Sequence, residues 1–146
     1  MPDSERRLIV NADDFGQSPG VNQGIITAHE RGIVTSASLM VRWPAAREAA
    51  EYARAHPRLG VGLHVDLGEM RYSEEEENWV QMYEVVPHDD AAAVRKEVER
   101  QLAEFFSSLG RAPTHLDSHQ HVHMHEPVRA ILAGRAASLE IGRAHV

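Results

Sequence analysis

The sequence predicts an α/β domain built on a parallel sheet, and three observations carry that expectation. Apolar runs of strand length alternate with helical patterns, which is the signature of β/α units. Proline and glycine punctuate the joins, as at Ser18-Pro19, Gly32, Pro44, Pro57, Gly110 and Pro127. Unusual polar residues recur where the strand-like runs end, and in open α/β sheets those ends carry the sites.

The elements follow in order. Leu8 to Phe15 begins apolar and ends in carboxylates, so it reads as a buried strand with a polar C-terminal end. Ser18 is an N-cap with Pro19 at the first helical position; Val21, Ile25, Ile26 and Ala28 share one face, and Gly32 is expected at C′. Ile33 to Val41 is a second strand, and Pro44 opens an Ala-rich helix that closes before Pro57. Leu59 to Leu67 is a third strand whose glycines imply close packing. Residues 68 to 88 read as a loop, with Glu74 to Glu77 a solvated edge. A helix capped at Asp89 or Asp90 carries the stripe Val94, Val98, Leu102, Phe105 and Leu109 and ends at Gly110. Thr114 to His119 is a fourth strand, and Pro127 starts a last helix through Val128, Ile131 and Leu132.

Composition narrows the function. A length of 146 residues fits one domain, which buries about 68–70% of its unfolded surface. The apolar runs are too short to span a bilayer, so no membrane partner is expected. A net charge of −7 with a single Lys argues against a nucleic-acid partner. The absence of Cys excludes disulfides, thiolate ligands and Cys nucleophiles. No G-x-S-x-G elbow, P-loop or G-x-G-x-x-G occurs, and Ser118 between Asp117 and His119 does not make a triad. The expectation is a cytoplasmic domain.

Ten His are present, five of them between His115 and His125. Asp13 and Asp14 end the first strand, His64 lies late in the third, and the His cluster ends the fourth. A mononuclear hydrolytic metal site needs about three protein ligands with open positions for water and substrate. Asp13 or Asp14, His64 and one His of the cluster satisfy that need. The second carboxylate stays free to take a proton, provided the turn at Phe15-Gly16 brings both to one side. Each feature has a plainer reading: an Asp pair before Gly is a common turn, a lone His a common core residue, and a His-rich tract an adventitious metal binder. Their coincidence at one rim favours a site.

At Asn11-Ala-Asp-Asp-Phe-Gly16, Gly32-Ile-Val-Thr-Ser36 and Thr114-His-Leu-Asp-Ser-His-Gln-His-Val-His123 the chain resembles the YdjC-like carbohydrate deacetylases, which include the chitooligosaccharide deacetylases. The resemblance runs from about Arg7 to about Leu132. It implies a (β/α) barrel-like fold, of which this chain would hold about the first four β/α units, and metal-dependent removal of N-acetyl groups from amino sugars. Asp14, His64 and His119 match the family's metal-binding positions, and Asp13 the position of the catalytic base. His123 is expected to orient a ligand or contact substrate, with His121 and His125 at the rim and Trp43 a candidate for stacking on a sugar. The implied cofactor is a divalent metal ion, Mg2+ in the family, although imidazole ligands also suit Zn2+ or another transition ion. The implied partner is an N-acetylated sugar. Edge strands of an incomplete barrel would invite self-association, so a homodimer is expected. The domain is expected over 1–139, with 140–146 a non-native tail whose back-translation reads like sequencing-adapter DNA. Two alternatives remain: a non-catalytic metal- or sugar-binding module, and an amide hydrolase acting on an acylated lipid-linked sugar.

Overall fold

The computed structural model describes residues 8–141. Their order is β1 (Asn11–Phe15), α1 (Pro19–Arg31), β2 (Ser36–Leu39), α2 (Ala46–Ala55), β3 (Gly60–Val65), β4 (Gly68–Ser73), β5 (Asn78–Glu84), α3 (Ala91–Leu109), β6 (Leu116–Ser118), a 3-10 turn over His119–Met124, and α4 (Val128–Ser138). The expected strand–helix alternation is therefore observed. Strands β1, β2, β3 and β6 form one sheet in that order, and each neighbouring pair is parallel.

Local chemistry sets the helix ends. The Ser18 hydroxyl accepts from the Val21 amide, and the Asp90 carboxylate accepts from the amides of Ala92 and Ala93. Gly110 closes α3 in the left-handed conformation, its amide donating to the Phe106 carbonyl. Gly32 ends α1 as expected, at φ −123° rather than in a left-handed conformation.

The two faces of the sheet differ sharply. Side chains alternate along a strand, so Ala37, Leu39, Val61, Leu63, Val65 and Leu116 point one way and pack against the helices. There they meet the α3 stripe Val94, Val98, Leu102, Phe105 and Leu109, all buried as the sequence predicts. The helices form one layer, α1 against α2, α2 against α3 and α3 against α4. The opposite face carries Asn11, Asp13, Ser38, Gly62, His64, His115 and Asp117, which are the polar residues of the site.

Residues 68 to 88, expected as a loop, contain an antiparallel hairpin of β4 and β5. Glu74 to Glu77 form its connecting turn, with Glu77 at φ 48°. The hairpin has no apolar alternation because most of β5 is exposed, including Trp79 and Met82. It is anchored at its base by Asp66, which is fully buried. The Asp66 carboxylate accepts from Arg42, Trp43, Tyr83 and the Gly68 amide. Of the expected non-native segment 140–146, Ile141 packs on the core and its amide bonds the Ala136 carbonyl. Residues 142–146 lie outside the described residues.

Candidate metal centre

The first carboxylate pair is shaped by a bulge. Pairing of β1 with β2 shifts register between Ala12 and Phe15, and Asp14 takes a positive φ of 64°. Asp tolerates that left-handed conformation better than most residues. The irregularity breaks strict alternation, so both carboxylates reach the polar side while Phe15 returns to the core. The device is thus Asp14's own backbone, not the Phe15-Gly16 turn that the sequence suggests.

Asp14 Oδ1 is the meeting point. His119 Nδ1 lies 3.1 Å from it and His64 Nε2 lies 3.4 Å from it. Ligand atoms of Asp14, His64 and His119 all fall within 4.8 Å of one another, and so do those of Asp13, His64 and Asp117. The imidazole bonds hold the Asp14 carboxyl far below the usual carboxylate range, with burial opposing them. Burial disfavours the charged form of His64, yet hydrogen bonds to Asp117 and Asp14 outweigh it and raise the pKa to about 9. The bond to Asp14 likewise raises that of His119.

This donor set fits a divalent cation. Two imidazoles and one carboxylate crowd a single point, as the protein ligands of one divalent ion do. His119 Nε2 is buried with no hydrogen-bond partner, and its nearest carboxylate oxygen, on Glu69, is 3.8 Å away. A mixed N/O set suits both hard and borderline ions.

Next to His64 lies a cleft of about 260 Å3, lined by Ile9, Asn11, Asp13, His64, Asp117, Ser118, His121 and His123. Asp13 is exposed there and accepts a 2.8 Å bond from Asn11. The His123 ring is fixed by Ser118, whose Oγ is 2.7 Å from Nδ1 and also accepts from the His123 amide. Burial, then the neighbouring His121, keep the His123 pKa below its ordinary value. His121 packs edge-on against it, ring centroids 5.9 Å apart.

The turn that carries these histidines is clipped to the hairpin. Gln120 and His121 both have positive φ, 53° and 54°. The Gln120 carboxamide bonds both the amide and the carbonyl of Met70, at 2.8 and 2.7 Å. A side chain here imitates a neighbouring strand.

The structure thus gathers Asp13, Asp14, His64, His119, His121 and His123. Trp43 is placed elsewhere: its indole N–H donates to Asp66 and its ring meets Tyr83, beside the groove between α2 and α3. His125 is not on the cleft lining. Sequence reasoning missed Asp117, which bonds His64 Nδ1 at 2.7 Å, and Ser38, which bonds Asp117 at 2.6 Å. It also missed Asp66. The available signal for Asp117 was its place two residues before His119 on the same strand end.

Comparison with known proteins agrees with this geometry. The chain is 47% identical over 129 residues to a carbohydrate deacetylase of Geobacillus stearothermophilus, covering 84% of this chain and 53% of that protein. It is 40% identical over 130 residues to a chitooligosaccharide deacetylase of Serratia marcescens, covering 82% and 51%. It spans about half the length of the curated relatives it matches. A crystal structure from Enterococcus faecalis V583, of a protein provisionally described as one that cleaves cellobiose phosphate, superposes with a TM-score of 0.74 at 32% identity. That match covers 94% of this chain and 58% of the other. The family model described as YdjC-like protein matches residues 7–145, and with the site motifs at the ends of β1, β3 and β6, the chain belongs to the YdjC-like family.

Proposed function

We propose that this chain supplies the metal ligands and the base of a hydrolase that removes N-acetyl groups from amino sugars. One observation carries the reading: Asp14, His64 and His119 converge on one point, while Asp13 stands beside them on an open cleft. The deacetylase names of the relatives support the substrate class.

Asp14, His64 and His119 would hold the ion, with Mg2+ the choice the family suggests. When bound, a divalent ion polarises an acetamide carbonyl and acidifies an attached water. Asp13, outside that ligand set, accepts the proton of the attacking water as the new C–O bond forms. Asn11 keeps the Asp13 carboxylate aimed at the cleft. With the His123 Nδ1 engaged by Ser118, its Nε2 is left to hydrogen-bond a hydroxyl of a sugar. His121 lines the same wall.

The architecture supports a barrel. Helices cover one face of the sheet in a single layer, and the polar face opposite matches the lining of a (β/α) barrel rather than the second helix layer of a doubly wound sheet. We read the four parallel strands as consecutive barrel units.

The test is acetate release from N-acetylglucosamine oligomers by the metal-loaded protein, alongside calorimetric metal titration. His64→Ala and His119→Ala should each abolish metal binding. Asp13→Asn should leave metal affinity within a few-fold and lower acetate release by about 10²–10⁴-fold. A protein that binds no divalent ion, or an Asp13→Asn variant with unchanged turnover, would sink the reading.

A further inference from the structure

We propose that Asp117 is a positioning residue that determines which nitrogen of His64 faces the metal, and that Ser38 and Asn11 couple it to Asp13 through one hydrogen-bonded chain. The inference rests on the metal reading above.

The sheet register brings the pair together. His64 and Asp117 are direct partners across β3 and β6, so their side chains leave the same face of adjacent parallel strands. Asp117 Oδ1 accepts from His64 Nδ1 at 2.7 Å. With Nδ1 protonated by that bond, the lone pair of the neutral ring is on Nε2, the atom 3.4 Å from Asp14 Oδ1. A carboxylate behind a ligating imidazole fixes both tautomer and ring orientation.

Asp117 is itself held. Its Oδ2 accepts from Ser38 Oγ at 2.6 Å, and Ser38 is fully buried on β2. With its one proton given to Asp117, Ser38 Oγ accepts from Asn11 Nδ2 at 2.8 Å and pairs with His115 Nε2 at 3.0 Å. Its hydrogen-bonding capacity is then filled. Asn11 Nδ2 is also 2.8 Å from Asp13 Oδ1. One chain therefore runs Asp13–Asn11–Ser38–Asp117–His64–Asp14.

Room for the chain comes from a missing side chain. Ser38 pairs in register with Gly62, and a Cβ at Gly62 would lie 2.4 Å from the His115 ring. The His115 ring occupies that space and braces Ser38 from below. Asp117 is thus held with both oxygens engaged, Oδ1 by His64 and Oδ2 by Ser38.

The test uses Zn2+ as a diamagnetic probe and 15N-resolved long-range NMR of the histidine rings. In the wild-type chain, His64 should show a protonated Nδ1 and a metal-bound Nε2; the reverse assignment overturns the proposal without any variant. Calorimetric titration with Zn2+ should show affinity 10–100-fold lower in Asp117→Ala, and a smaller loss in Ser38→Ala. Asp117→Asn should fall between wild type and Asp117→Ala, because a carboxamide oxygen still accepts from Nδ1. If wild type binds Zn2+ and Asp117→Ala, folded by circular dichroism, binds equally well, positioning is refuted while the metal site stands. If wild type itself binds none, the metal reading fails and takes the proposal with it.

Discussion

Replacing Gly16 by alanine probes how the turn after β1 is built. Gly16 has φ +93°, where an L side chain costs about 1–2 kcal/mol. The added Cβ would lie 2.9 Å from the Ala46 Cα and 3.2 Å from the Met40 carbonyl oxygen. Both are backbone, at the start of α2 and just past β2, so neither moves aside by a rotamer change. Forcing a methyl into such a place costs about 1–3 kcal/mol. The Gly16 amide also donates to the buried Asn22 carboxamide at 2.7 Å, which in turn bonds the Ala45 carbonyl. Displacement of α2 would strain that link too. The sum is roughly 2–5 kcal/mol, read as a lowered urea midpoint in metal-free protein with the slope unchanged. Because Gly16 follows the Asp14 bulge by two residues, metal affinity should fall as well. A loss under about 0.5 kcal/mol would refute the close-approach account.

Three further outcomes follow from the same geometry. The folded-state pKa of His64, about 9, lies above its ordinary 6.5, so protonation stabilises the metal-free fold. That contribution, on the order of 3 kcal/mol, is full below pH 6.5 and lost as pH rises through 9. A thermal midpoint of the metal-free protein that stays flat from pH 6.5 to 9 would contradict it, whereas metal affinity should rise by up to about tenfold per pH unit over the same window. Phe105→Ala, fully buried in the α3 stripe, should cost about 3–5 kcal/mol in denaturant unfolding. Gln120→Ala should loosen the histidine turn from Met70, lowering hydrogen-exchange protection in both β4 and His119–Met124; unchanged protection at Met70 would show the clip to be idle.

The elements that the sequence exposes are those whose burial is one-sided or complete. The α3 stripe and the β3 run Leu59 to Leu67 announce themselves because each buried position recurs at the period of its element. The β4–β5 hairpin does not, since its strands are wet on both faces and its turn, Glu74 to Glu77, looks like any charged surface. The same contrast holds in the site. Asp13, Asp14, His64 and His119 are conspicuous as residue types at strand ends. Asp117 and Ser38 are ordinary residues whose roles depend on cross-strand partners 53 and 79 positions distant, and that register is a property of the assembled sheet. Asp66 is hidden for the same reason: its four donors come from β4, β5 and the segment after β2.

The division of the sheet into an apolar face and a polar face also bears on how such a protein changes over generations. Nearly all the large buried side chains lie on the helix side. Substitutions among Asn11, Asp13, His121 and His123 therefore leave those contacts intact, and their folding penalty is confined to local hydrogen bonds. A lineage built on this sheet can explore new cleft chemistry while its hydrophobic interior stays constant. The hydrophobic interior and the cleft chemistry thus lie on different sides of the same four strands.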